Sequence, residues 1–318
     1  MTTKTGVCLN KKLWGFLILG FSWLWGTAFA APPSPLLLTD TYPIAIAALN
    51  LTAQTSWQTN MVVDHQAGCP QHYQLKAQDW ARLDNANLLV VNGLGLDGFL
   101  PAVKTKFKIL PVIELDRHLN LLKDAYLVLD KDVKGKGQTP AGVNPHVWLS
   151  VKNMISQVKQ LRKVLAKRSN AADHKQIKRN AVAYAAQLKI LAKEVKGLRK
   201  NLAKRFLAKQ NSRKALVLSD ALAYLAHDLG WQPVVWSKEE ETGLSPREMA
   251  ALIKVMQVEQ ISLIVAEDAQ AKTAQTLADA TKAQVVLGSS ILQGPWDKDG
   301  YVHLMRQNLA RFQELLDK

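Results

Sequence analysis

Cysteine is almost missing from this 318-residue chain, which has only Cys8 and Cys69. Cys8 lies in an N-terminal stretch with the parts of an export signal, so Cys69 would stand alone in the mature protein. A single cysteine cannot form an internal disulfide, which leaves Cys69 as a free thiol, a ligand or an intermolecular partner. Acidic residues are also short, 26 against 41 Lys and Arg, giving a formal net charge of +15. Such an excess suits an anionic membrane surface, an acidic partner or nucleic acid. Export argues against nucleic acid. The basic residues are concentrated between Lys152 and Arg213, where a solvated helix face also accounts for them. Gly93-Leu94-Gly95 is too short for a phosphate loop, and no Gly-rich nucleophile turn surrounds Cys69. An enzyme using that thiol would need a nearby base and an oxyanion site, so a non-enzymatic role is expected.

The start of the chain is different in kind. Lys11 and Lys12 precede an apolar run from Leu13 that closes on Ala28-Phe29-Ala30. A positive region, an apolar region and a small-x-small exit make a secretory signal peptide over 1–30, cleaved after Ala30. The rival reading, a retained transmembrane helix, has a run that only just reaches spanning length and is broken by glycines. Cleavage would remove Lys4, Lys11 and Lys12 and lower the net charge from +15 to +12. No second apolar span follows, which predicts a soluble mature protein.

Composition, 48% hydrophobic and 21% charged, is that of a globular chain, and the length allows two domains. From Pro33 to Ser150, short apolar runs alternate with helical spacing. Strands are expected at Leu36–Leu38, Met61–Val63, Leu88–Val91 and within Lys108–Leu115, with helices over Ala45–Ala53 and Lys76–Asn85. Alternation of this kind predicts a parallel sheet covered on both faces. Val151–Lys167 and Ala171–Arg205 have strong helical periodicity, and a helix of the second length would be about 50 Å long. It reads as a rigid strut between two lobes, with a coiled-coil arm as the alternative. After Arg213 the alternation resumes. Strands are expected at Ala215–Leu218, Pro233–Trp236, Ile261–Ala266 and Val285–Leu287. Ser245-Pro246-Arg247-Glu248 has an N-cap, a proline at N1 and a capping-box glutamate. The expected fold is α/β, two parallel-sheet lobes flanked by helices. Its expected divisions are 31–170, the linking helix 171–208, and 209–318.

The chemistry-bearing residues gather in Asp64 to Asp79, just ahead of the Leu88–Val91 strand. His65, Cys69 and His72 give His-x3-Cys-x2-His, with donors that zinc and copper prefer. The stretch is either a metal loop or a buried thiol beside surface histidines.

Tyr73-x-Leu75 with Asp79, then Asn85 to Leu96 (NANLLVVNGLGL) and Asn144 to Ser150 (NPHVWLS), resemble the solute-binding proteins of bacterial ABC importers for zinc and manganese. Ser219-Asp220-Ala221 with Tyr224, Ser245-Pro246 and Glu267 match more weakly. The resemblance covers essentially the whole mature chain. It implies a periplasmic protein, two lobes joined by one long helix, and a divalent cation, zinc foremost, carried in the cleft to a membrane permease. A monomer able to touch an anionic membrane surface is expected. The family holds its metal through four loop positions, and here the sequence departs. His146 matches the second. The first falls on Gln71, a feeble zinc donor, with His72 one residue on. The third, a histidine in the family, is Ser219, and the fourth, a carboxylate, is Gly288, followed by Ser289 and Ser290. Asp130 to Asn144 contains no histidine, unlike the loop common in the zinc-specific branch.

Beside a non-transport interaction protein that would use the basic strut against anionic lipid or an acidic partner, two outcomes remain open for the cleft. In one, Cys69, His72 and His146, with Asp220, make a softer site that favours zinc or Cu(I) over manganese. His65, Gln71, Ser219, Glu267, Gly288 and Ser289 are secondary candidates. In the other, no metal is held in the family manner and the polar cleft takes an organic solute or a metal chelate. Asp220 could instead cap a helix at Ala221, and Glu267 could be a plain surface acid.

Overall fold

Two four-stranded parallel sheets organise the chain. The computed structural model describes residues 34–63, 71, 73–123, 142–208, 213–236 and 244–317. The first lobe runs β1 (Leu36–Thr39), α1 (Tyr42–Thr52), β2 (Gln58–Met61), α2 (Ala77–Asp84), β3 (Leu88–Val91), α3 (Leu100–Lys106) and β4 (Val112–Glu114). Its sheet order is β2-β1-β3-β4. Helices α4 (Val151–Arg168) and α5 (Ala171–Ala208) follow. The second lobe runs β5 (Lys214–Val217), α6 (Ala223–Asp228), β6 (Gln232–Val235), α7 (Pro246–Val258), β7 (Leu263–Glu267), α8 (Ala271–Thr281), β8 (Gln284–Gly288) and α9 (Gly300–Gln313), and its order is β6-β5-β7-β8.

Both sheets therefore reverse direction of winding at their first strand. In an open α/β sheet such a reversal leaves a crevice at the carboxyl ends of the two strands that flank it. Here those are β1 and β3 in one lobe, β5 and β7 in the other. The central strands are apolar because both of their faces are covered: Leu88 to Val91 are all fully buried.

The strut is a single helix of 38 residues, about 57 Å at 1.5 Å per residue. Ile177, Ala181, Tyr184, Leu188, Leu191, Val195, Leu198 and Leu202 recur at threes and fours and are all buried. This stripe packs on α1 of the first lobe and α9 of the second. The amide of Asn180 donates to Leu51 O and Ala53 O at 3.0 and 2.7 Å, and Arg306 forks onto Glu194 at 2.8 and 3.0 Å. No described helix is long and apolar enough to cross a membrane.

Some elements differ from expectation. The second strand lies at Gln58–Met61, ahead of the apolar Met61-Val62-Val63 run. It is an edge strand whose partners, Leu36↔Gln58 through Thr39↔Met61, fix its register, so polar residues suffice on its open side. Val62 and Val63 are buried just beyond it, as the chain turns into the fold. Helix α3, opened by Pro101 in its first turn, was not expected. The helix expected from Ala221 begins as a 3-10 turn, Asp220–Leu222, before α6.

Candidate functional site

His146 is placed by its own neighbours before any ligand is considered. Asn144 Oδ1 accepts from the His146 backbone N–H at 2.9 Å and lies 3.0 Å from ring Nδ1. The amide cannot be turned round, because its Nδ2 donates to Asp220 O at 2.8 Å. The ring thus carries its proton on Nδ1 and keeps the Nε2 lone pair for a ligand, the usual arrangement of a metal-binding histidine. Trp148 packs edge-on against the imidazole, with ring centroids 5.3 Å apart. Its indole N–H donates to Ser290 O at 2.8 Å, tying the first lobe's loop to the end of β8. His146 itself is only 3% exposed.

The second lobe contributes two carboxylates. Asp220 Oδ2 lies 3.9 Å from His146 Nδ1, an electrostatic contact rather than a hydrogen bond. Asp220 opens the 3-10 turn, and α6 has Leu222 at its N-cap position, so it does not cap the helix as the sequence suggested. Glu267 ends β7, and Ser219 Oγ, at the end of β5, donates to its Oε1 at 3.2 Å. Burial raises the Glu267 pKa, against opposing help from Ser290, Ser219 and the nearby His146, while Asp220 raises it further. It is therefore no plain surface acid. Gln270 steadies it by accepting from the Glu267 N–H at 2.9 Å.

The remaining candidates stand apart from this group. Gly288 has no side chain, and the space a Cβ would take is filled: Leu222 Cδ2 lies 3.1 Å away. Ser289 is exposed, and its hydroxyl accepts from Ile291 N at 3.1 Å, while its backbone is held by Asn308 on α9. Gln71 presses its backbone carbonyl against Gly98, where any Cβ would sit 2.5 Å from it. His65, Cys69 and His72 lie outside the described residues. Among the described residues no three His, Cys, Asp or Glu side chains form a group able to hold a metal ion. His146, Asp220, Ser219 and Glu267 come together across the lobes.

Sequence reasoning did not find Asn144 as the residue that orients His146, although Asn-x-His is a spacing at which an Asn side chain bonds backbone two residues on. It also missed Leu222, for which no sequence signal exists.

Comparison with known proteins bears on the family and the fold. The family model described as zinc-uptake complex component A, periplasmic, matches residues 38–315. An iron-binding protein, YfeA of Yersinia pestis, is 26% identical over 215 residues, 67% of this chain and 63% of that protein, so the match spans less than two thirds of its length. The metal ABC transporter substrate-binding lipoprotein SloC of Streptococcus mutans is 22% identical over 76% of this chain and 78% of its own. Among solved structures, FpvC of Pseudomonas aeruginosa in complex with Mn2+ aligns with a TM-score of 0.70 at 22% identity, covering 89% of this chain and 99% of that one. The Zn(II)-bound ZnuA-like domain of Streptococcus pneumoniae AdcA aligns at 0.68 and 20% identity, over 90% of this chain and all of that one. At such identities the structures speak for the fold, two lobes with parallel sheets. The family match, covering most of the chain, settles membership: this protein belongs to the periplasmic zinc-uptake component A family.

Proposed function

We propose that the chain is the exported solute-binding component of a metal ABC importer. It captures a divalent cation between its lobes and presents it to a membrane permease. The observation that carries this reading is His146, whose Nδ1 is committed to Asn144 so that its Nε2 lone pair is left for a ligand, with Asp220 3.9 Å from Nδ1 and Glu267 near the ring. One imidazole cannot hold Zn2+ against water; three or four protein donors are needed. Cys69 and His72 are the residues we assign to complete the set. A thiolate and two imidazoles make the site softer than one built from carboxylates, which favours zinc or Cu(I) over manganese. We further propose cleavage after Ala30, release into the periplasm and action as a monomer. The lobes and helix would divide as 31–170, 171–208 and 209–318.

Metal analysis of the purified mature protein, with titration of Zn2+, Mn2+ and Cu(I) into the apo form, tests it. Stoichiometric zinc is expected, with large losses in His146→Ala and Cys69→Ser. No metal at micromolar free concentration would overturn the reading, and unchanged affinity in both variants would show that the ligands are others. A second reading is favoured by Leu222 occupying the space beside Gly288: the cleft would then take an organic solute or a metal chelate. Mass spectrometry of the protein as purified decides, since a co-purifying organic molecule without free-metal binding supports only this second reading.

A further inference from the structure

The positive charge of this chain sits in one place. Residues 151–208, which form α4 and α5, hold 16 of the 41 Lys and Arg and 2 of the 26 Asp and Glu, a net +14 of the chain's +15. The rest of the chain is close to neutral. The two acids do not offset the excess. Asp173 is buried and accepts from the Ser56 N–H and hydroxyl, and Glu194 is engaged by Arg306 of α9.

Opposite its buried stripe, α5 presents an outer face in three parts. Lys175, Lys178 and Arg179 are exposed at its start. Val182 and Ile190 follow, 71% and 53% exposed, with the exposed Ala183 and Ala186 between them. Lys189, Lys193, Lys196, Lys200 and Lys204 then recur at threes and fours, all exposed. Among the described residues no acid pairs with any of these cations. The neighbouring α4 contains no acid and adds the exposed Lys159, Lys163 and Lys167.

A face meant only for water gains from alternating signs, whereas like charges three and four apart repel along a helix. Val182 and Ile190 also lose by facing water. A surface that is anionic outside and apolar just beneath offsets both losses at once, and the headgroup region of a bilayer is such a surface. The kind of cation points the same way. Seven of the eight on this face are lysine, a flexible point charge suited to a fluid array of phosphates. A partner recognised through its carboxylates would favour the fork of arginine.

We propose that the outer face of α5, with the lysines of α4 beside it, docks on an anionic lipid bilayer. The helix lies along the surface for about 57 Å, its lysines over lipid phosphates and Val182 and Ile190 between the headgroups. Where the lipid is met rests on the export proposed above; the contact itself uses no part of the metal site.

Co-sedimentation of the purified mature protein, without metal, with phosphatidylcholine vesicles containing about one third phosphatidylglycerol tests this. Binding is expected there and not on phosphatidylcholine alone, and it should fall steeply with added salt. The quadruple variant Lys193→Gln, Lys196→Gln, Lys200→Gln, Lys204→Gln should bind about a hundredfold more weakly or worse, at on the order of fivefold per charge. Lys108→Gln, Lys254→Gln, Lys272→Gln, Lys298→Gln makes the same change in net charge on the lobes and should stay within about twofold of wild type. Val182→Ser with Ile190→Ser should lose on the order of tenfold. All of these side chains are exposed, so the variants should keep their fold, which circular dichroism checks. No binding to anionic vesicles, equal binding to neutral ones, equal losses in the two quadruple variants, or an unchanged serine variant would each overturn the proposal. Retention on polyglutamate without vesicle binding would also overturn it, in favour of an acidic protein. Zinc titration of the α5 quadruple variant should match wild type. Failure on vesicles thus leaves the metal reading standing, and loss of metal binding in His146→Ala leaves this one standing.

Discussion

The two walls of the cleft are built on one topology and finished differently. In the first lobe the ends of β1 and β3 are wired by buried polar side chains: Asp40 to Asn92, Asn92 to Pro145, Asn144 to His146. In the second, the ends of β5 and β8 carry Ser219 and Gly288, and an apolar side chain, Leu222, fills the gap. The resemblance places a carboxylate at Gly288, and here the carboxylates beside His146 are Asp220 in the turn and Glu267 on β7. The lesson is that a shared fold fixes where donors can stand without fixing which strand supplies them.

The sharpest way to break this comparison is a double-mutant cycle between Leu222 and Gly288. Leu222→Ala should cost about 2–5 kcal/mol as a buried truncation, and Gly288→Asp about 1–3 kcal/mol from crowding. If both side chains want one space, the double variant will be more stable than the sum by about 1–3 kcal/mol, read by chemical denaturation. Strict additivity would show the two positions to be independent. Next in size, Asn144→Ala frees the His146 ring to turn and should weaken zinc binding about 10–100-fold by calorimetric titration. An unchanged affinity would remove Asn144 from the site's support. Trp148→Phe keeps the ring contact and loses the indole bond to Ser290 O; about 1 kcal/mol of stability is expected, seen in the thermal midpoint. Smallest, Arg306→Ala breaks an exposed pair with Glu194 and should cost about 0.2–1 kcal/mol, declining with added salt.

Much of this was readable in the residues. Leu88–Val91 stood out as a strand because its burial on both faces demands an unbroken apolar run. Ala171 onward announced a long helix by periodicity, and Ser245 with Glu248 marked the start of α7, where Ser245 Oγ accepts from Glu248 N at 3.3 Å. The family pattern singled out His146. What escaped was set by contacts distant in sequence. Edge strand β2 owes its place to β1 rather than to its own polar residues. Leu222 matters because Gly288, far along the chain, turns its bare face toward it. Asp40 and Asp97 look like ordinary turn acids until the fold buries them.

One hydrophobic cluster contains Leu37, Leu88 and Val90 of the first sheet, Val217, Leu263 and Val265 of the second, and Tyr184, Leu188 and Leu191 of α5. Its consequence is thermodynamic. Each lobe has a smaller cluster of its own on the other face of its sheet, but melting either lobe would expose apolar surface of this shared one, and the folded chain should come apart in a single cooperative step. Calorimetric and van't Hoff enthalpies would then coincide, and partial unfolding would be confined to segments outside the shared cluster.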